Sequence, residues 1–407
     1  MADDETPRFL LLIPPVPSPP SSSALKAAFG DTISQVLKEV ASASTECPKA
    51  AILEIALACP HLVAIQNTPR SQLYNETQSV LASIYKLVCV IAAAERINVE
   101  DADGVDVRVL LVAWSPDASS DDISFGPVVS LKTLAQSSRA WQYAFGVESE
   151  TGEAFVRAFV TAKGDHETVS RVQGGPVMKT STSKSSQTQP RSHTPGHPTS
   201  QQHHYDVAVG GTFDHLHIGH RLLLTMTLFA ADARPGTSPS TATLGITGDQ
   251  LLVNKKHASV LESWSARQKA VEDFCDSLVD FSSKTELTKE VCHRHSNAPN
   301  GKSVDLHYTS GLVLKCTEIQ DPFGPTITEE AISALIISAE TRAGGKAVND
   351  KRKEKGWKEL DVFEVDVLDA EEEDEEGATA TVKEGFESKL SSTAIREKIA
   401  RKTGGNL

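Results

Sequence analysis

The sequence predicts an α/β protein: a doubly wound parallel sheet in the C-terminal half, preceded by a smaller N-terminal α/β module. Three observations carry this. From Tyr205 onward, short β-prone runs alternate with helical ones, the order that a parallel sheet with crossover helices requires. Residues 164–204 are rich in Ser, Thr, Gln, Pro, Gly and His and poor in large apolar side chains, so they read as a flexible linker between residues 1–163 and 205–407. Gly210 and Gly211 end the first strand of the second half and precede a helix start, where such a sheet binds its ligands.

In the first half, Phe9 to Ile13 is extended. Ala24 to Ala41 is helical, with Ile33, Val36, Leu37 and Val40 on one face. Leu73 to Ile91 repeats the pattern, its apolar residues recurring at threes and fours, and Val107 to Trp114 is a strand. This module shows no catalytic cluster, and its role is unknown from sequence. In the second half, a strand at Tyr205 to Val209 leads to a helix from Gly219, a strand at Leu244 to Thr247 and a helix at Ser265 to Leu278. Strands follow at Val304 to Tyr308, Ala334 to Ser338 and Asp361 to Val367, then an acidic loop at 369–376 and a last helix from Thr393 to Lys402, capped by Ser391 and Ser392.

The most informative stretch runs from Val207 to His220. Glycines at 210 and 211 admit backbone conformations closed to other residues, so a phosphate can approach main-chain N–H groups. Thr212, Phe213 and Asp214 follow at the turn. His217 and His220 share one face of the first helical turn, where unpaired N–H groups and the helix dipole favour anions. The expectation is a nucleotide-phosphate site.

Gly210-Gly-Thr-Phe-Asp-His-Leu-His-Ile-Gly-His220 resembles the HxGH signature of the nucleotidyltransferase superfamily, and Leu390-Ser-Ser-Thr-Ala-Ile-Arg396 resembles its second signature, ISSTxIR. Between them, Asp321-Pro-Phe-Gly-Pro325 and the segment Leu335 to Gly345 resemble parts of the fungal-type eukaryotic phosphopantetheine adenylyltransferases. The resemblance covers about residues 204 to 407. It implies a Rossmann-like domain that transfers AMP from ATP to 4′-phosphopantetheine in coenzyme A biosynthesis, giving dephospho-coenzyme A and pyrophosphate without a covalent intermediate.

The resemblance also implies roles for single residues. His220 would hydrogen-bond the α-phosphate, His217 would neutralise neighbouring phosphate oxygens, and Thr212 would orient the acceptor phosphate together with Lys255 or Lys256. Ser391, Ser392, Thr393 and Arg396 would hold the leaving phosphates. Ser338, Glu340, Thr341 and Arg342 belong to a segment, running to Arg352, that would close over adenine and phosphates, with Lys351, Arg352 and Lys353 forming a solvated helix face. Mg²⁺ would bridge the ATP phosphates with few protein ligands. Many bacterial family members carry Thr at the position of His217, so this chain departs from them there. Nicotinamide-mononucleotide adenylyltransferases and cytidylyltransferases share both signatures and are alternatives. A non-catalytic scaffold of a coenzyme A synthesis complex is an alternative of another class, opposed by the intact Thr212, His217, His220, Ser391, Thr393 and Arg396.

Composition bounds the partners. A formal charge of −14 excludes sequence-independent nucleic-acid binding, which needs a basic face. No run approaches the roughly 18 apolar residues of a membrane span, and six cysteines without framework spacing fit a reducing compartment, so a cytoplasmic protein is expected. Cys292 to His295 and the histidines at 193, 197, 203 and 204 lack metal-ligand spacing. No GxxxxGK phosphate loop occurs, so a dephospho-coenzyme A kinase is expected on another polypeptide.

Overall fold

The computed structural model describes residues 6–18, 20–45, 50–100, 104–119, 123, 125–164, 168–175, 202–282, 289–295, 300–366 and 391–404. The acidic run at 369–376, residues 176–201 of the expected linker and Leu390 lie outside the described residues.

The N-terminal half builds one sheet from β1 (Arg8–Ile13), β2 (Ile52–Ala58), β3 (Asp106–Ser115), β4 (Ala118–Ser119), β5 (Val128–Ser130), β6 (Tyr143–Glu148) and β7 (Val169–Gln173). The order is β4-β3-β2-β1-β6-β7, with β5 also beside β3, and every pair except β3–β4 is parallel. Helices α1 (Ser22–Thr45), α2 (Arg70–Glu95), α3 (Leu131–Gln136) and α4 (Glu150–Lys163) connect the strands. β2 is buried at every position, which is what a strand covered by helices on both faces requires. α4 starts at Ser149, whose Oγ accepts the Gly152 N–H at 3.0 Å, and stops at Gly164 with φ +95°.

The expected linker is corrected at both ends. Val169–Gln173 is a strand, because Val169 and Val172 are buried while their polar neighbours face out, a short edge pattern that the surrounding composition concealed. At the other end, His204 is fully buried, with Nδ1 3.0 Å from Ser333 Oγ and its N–H donating to Asp232.

The C-terminal sheet contains β8 (Asp206–Gly211), β9 (Ser240–Thr247), β10 (Lys289–Arg294), β11 (Ser303–Tyr308), β12 (Leu312–Ile319), β13 (Ala334–Ser338) and β14 (Asp361–Val365), in the order β10-β11-β12-β9-β8-β13-β14. Strands β12 to β14 along this order are parallel and β10 and β11 add an antiparallel edge. Its helices are α5 (Ile218–Ala230), α6 (Trp264–Val279), α7 (Arg342–Glu354) and α8 (Ser392–Gly404). The five parallel strands therefore read third, second, first, fourth, fifth, and the order reverses between β8 and β13.

One apolar core runs through both halves. Its middle layer is α2, long and apolar enough by length and composition to cross a membrane, a property the sequence reading did not credit to it. Here that helix packs against α1 and α5, and the Tyr74 ring lies 4.7 Å from Phe363 and 6.3 Å from Phe229. A second, smaller cluster of Ala208, Leu335, Ile337 and Val348 fills the space between β8, β13 and α7.

Candidate active site

A cavity of about 880 Å³ opens at the carboxyl ends of β8, β9 and β13, at the point where the strand order reverses. Its walls bring together residues far apart in sequence: Gly210 to Phe213, His217 and His220 from the β8–α5 segment, Lys255 from the loop after β9, Ser338, Glu340 and Thr341 after β13, and Ser391 to Thr393 with Arg396 from α8. Asp214, Lys256 and Arg342, also expected at the site, do not line it.

The glycines act differently from the expectation. Gly210 and Gly211 are extended strand residues, and the left-handed conformations belong to Phe213 (φ +53°) and His215 (φ +46°). The requirement at 210 and 211 is space. A Cβ on Gly211 would meet the Phe213 ring at 2.9 Å, whereas one on Gly210 would meet nothing within 4 Å and would project into space a ligand can use. The two non-glycine positive φ values hold a sharp turn that other bonds enforce. His215 N–H donates to Glu262 Oε2 at 2.7 Å, and Glu262 N–H donates to Asp214 Oδ1 at 2.9 Å.

His217 precedes α5 and its ring stacks on His220, with centroids 3.9 Å apart and planes at 23°. Neither Nδ1 has a partner among the described residues. Burial, then the nearby Arg221 guanidinium, pushes the His217 imidazole down to about 4. Burial, His217 and Arg221 push His220 well below its ordinary value. Both rings are therefore held towards the neutral form, at the start of α5. The charge-neutralising role expected of His217 therefore requires that a bound phosphate raise its titration.

Three arginines are held within the protein more than the sequence suggests. Arg396, expected on the leaving phosphates, is buried and paired with Asp214, and it donates to the Lys256 carbonyl at 3.0 Å and to Thr393 Oγ1 at 3.1 Å. It ties α8 to the HxGH turn, and its charge is matched within the protein. Arg342 is exposed and forms a two-bond pair with Glu364, outside the cavity. Arg352, expected on a solvated face, is 1% exposed and donates to the carbonyls of Thr326, Glu330, Ile332 and Lys358. A run of basic residues on a helix gives no signal of which one turns inward.

Lys255 lines the cavity while Lys256 contributes its backbone carbonyl to Arg396, so the structure separates the two lysines. Ser391 alone caps α8, its Oγ accepting the Ala394 N–H at 3.2 Å; Ser392 is the first helical residue. Ser338 and Thr341 form a capping box on the turn before α7. Sequence reasoning missed Arg267, which is fully buried and donates to the carbonyls of Thr212 (2.6 Å) and Thr247 (2.8 Å) and to Asp249, fastening the ends of β8 and β9 together. It also missed Thr243, a buried hydroxyl without a partner among the described residues, facing the cavity from β9. A lone Arg early in a helix and a Thr in a strand carry no sequence signal.

Residues 208–398 match the Cytidylyltransferase-like family, and residues 1–178 match a domain of unknown function, DUF8446. Among curated proteins, the chain is similar to an uncharacterized protein of Schizosaccharomyces pombe, at 34% identity over 194 residues and 48% of each chain. It is 33% identical over 190 residues to the phosphopantetheine adenylyltransferase of Saccharomyces cerevisiae, covering 47% of each chain. To the phosphopantetheine adenylyltransferase of Methanothermobacter thermautotrophicus it is 28% identical over 166 residues, 41% of this chain and 76% of that one. The match spans about half the length of the two yeast relatives. The C-terminal half thus carries a cytidylyltransferase-like domain of the HxGH superfamily on a Rossmann-like sheet, and a nucleotidyltransferase role is supported.

Proposed function

We propose that the cytidylyltransferase-like domain of this chain transfers AMP from ATP to 4′-phosphopantetheine, releasing pyrophosphate and dephospho-coenzyme A. The observation that carries this reading is one cavity lined by two stacked imidazoles at a helix N-terminus, a lysine from the loop after β9 and a second helix N-terminus capped by Ser391. At about 880 Å³ it lies near the upper end of the roughly 300–1,000 Å³ range of small-molecule sites, as two substrates held together require.

In this reading, an acceptor phosphate oxygen attacks the α-phosphorus of ATP, the bond to the bridging oxygen breaks, and pyrophosphate leaves with the electron pair. No side chain forms a bond to phosphorus. The protein supplies position and preorganised donors. His220 donates to the α-phosphate and His217 to an adjoining oxygen, Lys255 and Thr212 hold the acceptor phosphate, and the α8 N-terminus with Ser392 and Thr393 receives the leaving phosphates. Mg²⁺ enters as Mg-ATP. Of the carboxylates around the cavity, Asp321 Oδ1 accepts the N–H groups of Phe323 and Gly324 and Asp366 accepts from Gln78, which leaves Glu340 as the carboxylate best placed to add to the ligands the phosphates supply.

The acceptor assignment rests on the relatives' names and on the middle segments. It is tested by incubating the protein with Mg-ATP and 4′-phosphopantetheine, with nicotinamide mononucleotide, and with CTP in place of ATP, and identifying products by mass spectrometry. Dephospho-coenzyme A from the first mixture alone is the expected result. Product from a control alone would move the enzyme elsewhere in its superfamily, and no product from any mixture would favour the scaffold.

A further inference from the structure

The helix that carries the two histidines is held at both ends by the N-terminal half. At its first turn Arg221, the residue after His220, donates from Nη1 to the Val107 carbonyl at 2.8 Å and pairs with Asp106 Oδ1 at 2.9 Å, both on β3. Asp106 is gripped from its other oxygen by Arg108, at 3.0 Å from Nε. Burial works against the Asp106 carboxylate, but Arg221 and Arg108 outweigh it and hold the group at about 2, so the pair is ionised throughout the neutral range. At the last turn, Arg70 from α2 reaches the carbonyls of Ala231 (3.0 Å) and Phe229 (3.5 Å), and its backbone N–H donates to Asp232 at 3.1 Å. A cation on the last carbonyls satisfies groups the helix leaves open and suits its dipole.

We propose that the N-terminal half is a positioning frame for α5, in which Asp106 and Val107 hold Arg221 and Arg221 sets the placement of His220 and His217 against the transferred phosphate. The proposal rests on the reading of His220 as a contact to that phosphate. Successive helical residues point about 100° apart, so His220 faces the cavity while Arg221 faces β3, and a shift of one shifts the other. Arg221 does not line the cavity, so it and Asp106 are positioning residues.

Charge couples the two as well. The imidazoles stack on each other and feel the charge of Arg221; Asp214 and His215 lie on the turn before them, and Arg396 approaches from α8 with its charge matched by Asp214. Lys255 stands on the cavity wall, and Asp106 with Arg108 stands behind Arg221. Among these groups Arg221 is the cation that lowers both imidazoles. Removing it should raise their titrations.

The test uses the full chain and a double-mutant cycle. Arg221→Met, Arg221→Lys and Asp106→Asn are each made alone and with His220→Ala, with turnover read as pyrophosphate release from Mg-ATP and 4′-phosphopantetheine. Arg221→Met and Asp106→Asn should lower kcat on the order of 10- to 100-fold in the native background, the scale of a small misplacement. They should lower it by a clearly smaller factor once His220 is gone, since one of the two rings they position is missing. Arg221→Lys should recover part of the rate. Imidazole NMR, assigned with His217→Gln and His220→Gln, should show both titrations moving up in Arg221→Met. Equal fractional losses in both backgrounds, unmoved titrations, or native kinetics in Asp106→Asn would overturn the proposal. If Arg221→Met does not fold, Asp106→Asn carries the cycle. If no acceptor yields product, moved titrations retain the frame and reject the proposed reaction.

Discussion

Two sheets of the same winding lie in this chain, and only the second has the described cavity at its reversal point. In the first, order reverses between β1 and β6. There β1 runs into a stretch with prolines at 14, 15 and 17, each lacking an N–H, before α1 starts. The chain after β7 then closes on α1: Gly175 N–H donates to the Ala28 carbonyl at 3.0 Å, and Thr32 Oγ1 donates to the Gln173 carbonyl at 2.9 Å. In the second, β8 ends in two glycines and α5 begins after His217 with no side-chain cap. The winding supplies a location for a site, and the few residues at the strand end decide whether it is filled by the chain or left for a ligand.

Substitutions can break this contrast. The largest effect is expected from His220→Ala, a loss of roughly 100- to 1,000-fold in the chemical step, the scale for one preorganised contact to the transferred group. Arg396→Ala comes next and acts on the fold. It leaves the buried Asp214 carboxylate without its guanidinium, so denaturant melts should show a loss of about 3–5 kcal/mol. A melt unchanged within error would return Arg396 to the phosphates.

Two glycine substitutions separate the sheets directly. A Cβ on Gly175 would sit 1.6 Å from the Ala27 carbonyl oxygen, so Gly175→Ala should cost about 1–3 kcal/mol of stability. Gly210→Ala meets nothing and should leave the melt unchanged while weakening ligand binding. Loss of stability from both would mean that the second reversal point is packed like the first. Lys255→Ala should raise the KM of the acceptor on the order of tenfold, as for one charge-assisted bond, with Lys256→Ala nearly silent. Similar effects from both would sink the distinction between the lysines.

A further effect is on pH. His217 titrates at about 4 in the folded chain against 6.5 unfolded, so below pH 6.5 the unfolded state takes up the proton first and stability falls as pH drops from 6.5 towards 4. His217→Asn should flatten that part of the curve, and bound ATP, which favours the imidazolium, should do the same. An unaltered curve in the mutant would contradict the depressed titration.

The second sheet was legible where period and punctuation agreed: Ala334–Ser338 is placed as read, and α5 and α6 begin within a residue of expectation. β2, β6 and β12 were missed, since short apolar runs in a buried parallel sheet look alike whether or not a turn is marked. In the site, the residues named from the two signatures do converge on one cavity, except Asp214, which turns away to hold Arg396. What sequence could not show is which cations are spent internally. Arg267, Arg352 and Arg396 are all buried on carbonyls or a carboxylate, and nothing in an isolated Arg distinguishes that from a phosphate contact.

The most direct test of nucleotide transfer in the cavity of the second sheet is a single-turnover quench with Mg-ATP and 4′-phosphopantetheine, comparing the native chain with folded His220→Ala. The account predicts dephospho-coenzyme A and pyrophosphate in equal amounts from the native chain, and a rate about 100- to 1,000-fold lower in the variant. No dephospho-coenzyme A from the native chain, or equal rates from both, would contradict it.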